Sequence, residues 1–284
     1  MNQTLEQYKN ITIVPQQEFV DAIPAIYAPF EAYITKVIPL ILQHAWQQKK
    51  SKKISSLDAL LHSGWICRLI TLDKRVLDLE KQNEIPYWPE IRDRLINYLD
   101  ECKEESQLSK ISSDCMQQLM PILQKRFEKN YHFPERNFYC WWYTMHDDDT
   151  HLALHLVNAY QPQSPFHHLQ HFLTTMLQAV EHAVNIYPAI KIVSCGSWLN
   201  QLPKFQQLWP ESFKQNQKIL NETGGLGPGA WGQYMTTDGG FNEEKAAILK
   251  STGRHQFALT EAQCSLSELV VHLEKIISVT IVKR

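Results

Sequence analysis

The stretch Phe138–Leu199 constrains this chain more than any other. It reads as an apolar strand (FYCWWYTM), an acidic turn (HDDDT), a second strand (HLALHLVN), a helix (SPFHHLQHFLTTMLQAVEHAVNIYP) and a third strand (AIKIVSCGSWL). Alternation of period two marks the second strand, and Ser164–Pro165 supplies an N-cap followed by a proline at the first helical position. The helix is expected to end near Tyr187–Pro188. A hairpin feeding a helix and a further strand is the core of an α/β or α+β domain, because each element must bury one apolar face against another. Seven of the twelve histidines fall in this stretch, so titratable side chains concentrate at its strand ends.

The flanks differ in character. Residues 1–16 read as an arm or short strand (ITIV), and the pattern is helical from Glu18 to Asn130. Pro24, Pro29 and Pro39 are predicted to end or kink the first helix. QKKSKKISS reads as a basic, solvated connector. LDALLHSGWICRLITLDKRVLDLEKQN, EIPYWPEIRDRLINYLDECKEES and SSDCMQQLMPILQKRFEKN follow as helices. HFPER reads as a turn. After the third strand, NQLPKFQQLWPESFKQNQKIL predicts two short helices broken at Pro203 and Pro210. WGQYMTT predicts a strand ending in the turn Asp238–Gly239–Gly240. EEKAAILKSTGR predicts a helix with Gly253 at C′. HQFALTEAQ predicts a strand, and CSLSELVVHLEKII a closing helix capped by Ser265 or Ser267. The expected architecture is a helical N-terminal region (1–130) packed on an α/β region (131–284) with a mixed sheet and flanking helices.

The 284-residue chain carries a net charge of −2, with a pI near 6.6, so no global field draws it to nucleic acid or to an anionic membrane. No apolar run approaches the roughly 20 residues that cross a bilayer. The expectation is a soluble, cytoplasmic protein acting on a small molecule. The six cysteines are scattered without a CxxC pair and are expected to be free thiols.

Several constellations could carry chemistry. If DDDT forms the hairpin loop, His146 and His151 oppose each other with Cβ atoms about 5 Å apart, and Asp148 could complete a divalent-metal site. His151 and His155 lie roughly 13 Å apart on one strand at about 3.3 Å per residue, too far to share an ion. His155 is a candidate general base. His167, His168 and His171 read as surface residues of the helix's first turns. Cys195 and Ser197 lie where a strand gives way to a loop and are candidate nucleophiles if His155 is adjacent. Trp198 and Asn200 are candidate pocket residues at the same strand end. Gly227–Gly232 fits G-x-G-x-x-G, but the preceding FKQNQKILNET looks helical and the following QYMTT extended, contrary to a dinucleotide fingerprint. A glycine-rich loop over a pocket is the better reading, with Trp231 and Gln233 as substrate contacts.

From Phe138 onward the order of elements resembles the core of the GNAT acetyltransferase superfamily. HLALHLVNAYQPQSPF, KIVSCGSWLNQLP and AWGQYMTTDGGF are similar to segments of uncharacterised bacterial proteins with a helical N-terminal region and a GNAT-like C-terminal domain. The resemblance implies that the strand before the central helix pairs with the pantetheine arm of acyl-coenzyme A and splays from the next strand, leaving a gap for the acceptor. His155 and Asn158 would border that gap. Ser164 to Phe166 would sit at the pyrophosphate end of the helix, and Cys195 to Trp198 on the facing strand. The family's Q/R-x-x-G-x-G/A loop is replaced by AYQPQSPF, which has no glycine, and Pro165 removes one donor.

The leading expectation is an enzyme that transfers an acyl group from a thioester to a small-molecule amine or hydroxyl, with His155 as base. One alternative is a metal-dependent enzyme using His146, Asp148 and His151. Another is a non-catalytic small-molecule-binding protein on a GNAT-like scaffold.

Overall fold

The computed structural model describes residues 23–62, 88–121 (except 111, 115 and 118), 137–221 and 228–282. The expected N-terminal arm, most of the helix from Leu57, the end of the helix from Ser112 and the HFPER turn lie outside these residues.

The first helix, α1 (Ile23–Lys52), runs for 30 residues, through all three prolines. The expectation that the helix ends at Pro29 or Pro39 is therefore corrected, as is the loop reading of Gln48–Lys52, which is helical. A proline inside a helix costs about 3 kcal/mol. Burial outweighs that cost: Tyr33, Ile34, Val37, Ile38, Ile41 and Leu42 are fully buried along one helix. Lys49, Lys50 and Lys52 in the last turn suit its negative end. Lys53, at φ 55, stops it. Ser55 then opens α2 (Ser56–His62) by accepting the Asp58 N–H at 3.0 Å. Helix α3 (Trp88–Glu101) and helical residues within 108–121 complete this region.

The second region is a six-stranded sheet: β1 (Asn137–Phe138), β2 (Trp141–Met145), β3 (His151–Leu156), β4 (Ile192–Ser197), β5 (Lys218–Asn221) and β6 (Leu259–Ser265), ordered β1-β2-β3-β4-β6-β5. The pairs are antiparallel except β3 with β4, which is parallel. The crossover between them is helix α4 (Leu169–Ile186). A sheet that is mixed for this reason, flanked by helices and joined to a helical N-terminal region, matches the expected fold class.

Two local corrections apply. The apolar run at 137–145 is two strands, because Tyr139 takes φ 58 and folds β1 back on β2, pairing Phe138 with Trp141. Lys218–Asn221 is a strand rather than part of a helix. The WGQYMTT strand is also absent: Pro228–Trp231 (α7) and Gly232–Tyr234 are helical turns, followed by a single Met235–Phe241 bridge. The remaining elements are α5 (Pro203–Gln206), α6 (Glu211–Gln215), α8 (Glu243–Thr252) with Gly253 at φ 67, and α9 (Leu266–Val282).

Burial falls into two clusters. One face of the sheet, including Trp141, Tyr143, Leu152, Leu154, Val193, Cys195, Ala262 and Cys264, packs with apolar residues of α4, α5, α6 and α9. The helices α1 to α3 form the other, and Trp231, Tyr234, Ala246 and Leu249 join it from the far end of the chain. Tyr33 Oη donates to the Trp231 carbonyl at 2.7 Å, and His44 lies 5.9 Å edge-on to the Trp231 ring.

Candidate functional site

The parallel β3–β4 ladder is short. It pairs His151 with Ile192, Leu152 with Val193 and Ala153 with Ser194, and goes no further. Each strand continues past that point on its outer partner: Trp141 pairs with Leu156 on one side, and Ser197 with Thr260 on the other. The carboxyl halves of β3 and β4 therefore part. In the β2–β3 ladder the His146 N–H donates to the His151 carbonyl, and the Val157 N–H to the Cys140 carbonyl. By the alternation of antiparallel hydrogen bonds, the even residues of β3 turn their N–H and C=O towards β4. Leu156 thus faces the gap, beyond the last paired residue.

His155 lies on β3 two residues past the last one paired with β4, its ring leaning over β2. It shares a face with Trp142, directly opposite on β2, and with Thr144 diagonally. Its ring stacks on Trp142 at 4.0 Å between centroids, and its Nε2 lies 2.9 Å from Thr144 Oγ1. The imidazole is half-buried and held from two sides. Across the gap on the same face lies Gly196, while Ser194 is buried in the last rung of the ladder. A side chain at Gly196 would meet nothing within 4 Å, so that position opens onto free space.

The segment 228–241 spans the parted ends. On the β3 side, Asn158 Nδ2 donates to the Thr237 carbonyl at 3.2 Å, and Gln161 Nε2 contacts Met235 Sδ at 3.7 Å. On the β4 side, Gly232 lies against the Trp198 indole, whose Nε1 would be 3.6 Å from a Cβ there. Gln233 is fixed to Phe257, donating to its carbonyl and accepting its N–H, each at 3.1 Å.

The other sequence candidates have structural duties. Cys195 points to the opposite face from His155, into the sheet core. Burial pushes its thiol up to about 12, with Glu261 adding to the rise. It is thus neither ionised nor beside the imidazole. Ser197 Oγ accepts the Leu199 N–H and caps the turn at Trp198–Gln201. Asn200 is buried and bridges the strands by donating to the Cys195 and Thr260 carbonyls at 2.8 and 3.1 Å. Trp231 is fully buried in the helical core, and Gln233 is also fully buried. Asn158 Oδ1 accepts the Tyr160 N–H, and Ser164 caps the turn at Pro165–His168 by accepting the Phe166 N–H. Phe166 packs edge-on to Phe172 at 6.0 Å. Of the proposed substrate contacts, Trp198 alone stays half-exposed.

The hairpin histidines meet as expected from the DDDT loop. The rings of His146 and His151 stack at 4.1 Å with an interplanar angle of 12°. Stacking presents ring faces, not converging nitrogens. Burial, aided by His146, lowers the His151 pKa. Asp148 spends its carboxylate on Thr150, accepting from the backbone N–H at 3.1 Å and the hydroxyl at 2.9 Å, which holds its pKa low. Among the described residues, no three His, Cys, Asp or Glu side chains gather as a metal-binding set.

The sequence reading missed Lys245 and Phe257. Phe257 stacks on Trp198 at 5.6 Å, and Lys245 Nζ sits 4.5 Å from the Trp198 ring centre and 5.4 Å from that of Phe257. No local signal marks this trio, whose members are far apart in the chain.

Set against protein-family models, curated proteins and solved structures, the chain matches none of them.

Proposed function

We propose that the chain is an acyltransferase-like enzyme whose reaction takes place in the gap between β3 and β4. The observation that carries this reading is the end of the parallel ladder at Ala153↔Ser194, with His155 two residues further along β3. An extended thioester arm can pair with the exposed edge of β3 as a further strand does. The N–H of Leu156, turned into the gap, can polarise the thioester carbonyl as charge develops on its oxygen. The acceptor amine attacks that carbon, and the carbon–sulfur bond breaks as the tetrahedral intermediate collapses. His155 takes the amine proton, directly or through a water, and the leaving thiolate regains a proton from solvent or from the imidazolium. Thr144 and Trp142 support this role by fixing the ring.

Isothermal titration of the full chain with coenzyme A and acetyl-coenzyme A tests the reading. Micromolar binding of either is expected. No heat and no thermal stabilisation at millimolar ligand would overturn it.

A further inference from the structure

Lys245, Trp198 and Phe257 form a cluster for which acyl transfer has no use. They come from helix α8, from the turn after β4 and from the approach to β6. The ammonium stands over two stacked rings. Ring faces attract a cation but accept its N–H groups poorly. A lysine carries three donors. Among the described residues, no acceptor meets those of Lys245. Lys245 also lies in the first turn of α8, where the helix end is already positive and disfavours a cation. The neighbouring Glu243 is turned to Lys36, at 2.7 Å. Burial lowers the Lys245 pKa, as expected for a partly dehydrated cation. The Trp198 indole N–H, lying over Gly232, likewise meets no acceptor among the described residues.

We propose that this cluster binds a small monocarboxylate whose apolar body lies against Trp198 and Phe257. A half-buried ammonium and an indole N–H beside an aromatic wall are complementary to a carboxylate on a hydrophobic stem. One lysine balances one negative charge, so a monoanion fits and a phosphate dianion leaves charge uncompensated. The assignment stands whether or not the gap between β3 and β4 transfers acyl groups.

The test is calorimetric titration of the full chain with phenylacetate, its neutral isostere phenylacetamide and inorganic phosphate, followed by Lys245→Met and Lys245→Arg. Phenylacetate is expected to bind, with the amide weaker by about tenfold or more, as for loss of a charged hydrogen bond, and phosphate not binding. Lys245→Met is expected to lose at least as much as the amide does, and Lys245→Arg to recover part. Equal binding of acid and amide, binding of phosphate in place of the acid, undiminished binding by Lys245→Met, or no binding of phenylacetate at millimolar concentration would each overturn the proposal. The acid–amide comparison uses the native protein and does not depend on how the variants fold.

Discussion

Tyr234 and His255 share a 2.6 Å hydrogen bond inside the helical core, between Oη and Nδ1. Burial raises the tyrosine pKa, so the phenol keeps its proton and is able to donate it to the imidazole. The His255 Nε2 is buried without a hydrogen-bond partner among the described residues. Burial, reinforced by His44, pulls the His255 pKa from 6.5 down to about 3. The unfolded chain therefore takes up a proton that the folded chain refuses. Stability is complete above pH 6.5 and falls as pH drops from there towards 3, by up to about 1.4 kcal/mol for each pH unit. Carboxylates held low, such as Glu268, add their own loss only below about their ordinary value of 4.5. Melting temperatures between pH 7.5 and 4.5 should fall in the native protein and fall less steeply in His255→Gln, where His151 and His171, also lowered by burial, keep a residual slope. An unchanged slope in that variant would assign the effect elsewhere.

If acyl transfer is the reaction, His155→Ala should lower turnover by roughly 10²–10⁴-fold, the usual share of a general base. Its half-buried position limits the effect on stability, which should stay within about 3 kcal/mol for the lost Thr144 hydrogen bond and Trp142 stack. Parallel kinetic and denaturant measurements separate the two effects. Full turnover in the variant would remove the imidazole from the mechanism.

Cys140, Cys195 and Cys264 are buried, and burial holds each thiol at about 12. The thiolate is the reactive form. Iodoacetamide at pH 8 should leave all three unmodified in the native protein and label them in denaturant, as read by peptide mass mapping. Rapid native labelling of Cys195 would revive it as a nucleophile.

Helix α9 opens on a reciprocal cap. Ser265 Oγ accepts the Glu268 N–H, while the Glu268 carboxylate accepts the Ser265 N–H, both at 3.2 Å. Ser265→Ala should cost about 1 kcal/mol in chemical denaturation. Ser267→Ala, which removes neither bond, should be close to neutral. Equal costs would show that the cap does not anchor the helix.

What the sequence revealed follows from how local each cause is. The caps at Ser164, Gly253 and Ser265, and the period-two pattern of His151–Leu156, act within a few residues, and these elements fall where they were expected. The opposition of His146 and His151 was legible for the same reason, since the DDDT loop sets the register. The uninterrupted α1 was not, because burial of residues such as Val37 and Ile38 overrides what Pro39 imposes locally. The fold-back at Tyr139 carries no glycine or asparagine to announce it. Strand parity places Cys195 and His155 on opposite faces, but only once the β3–β4 register is known. Lys245 acquires its setting from rings 47 and 12 residues away, which no reading along the chain could join.

The bond from Tyr33 to the Trp231 carbonyl has a consequence for synthesis on the ribosome. The two residues are 198 positions apart. Helices α1 to α3 precede the sheet in the chain, yet their core is completed by Trp231, Tyr234, Ala246 and Leu249, which are made only after β5. Until then the core of α1 is closed only by α2, α3 and helical residues within 108–121, whereas β1 to β4 and α4 can dock as soon as Ser197 is clear. Part of the apolar surface of α1 therefore stays uncovered until residues 231–249 have been made.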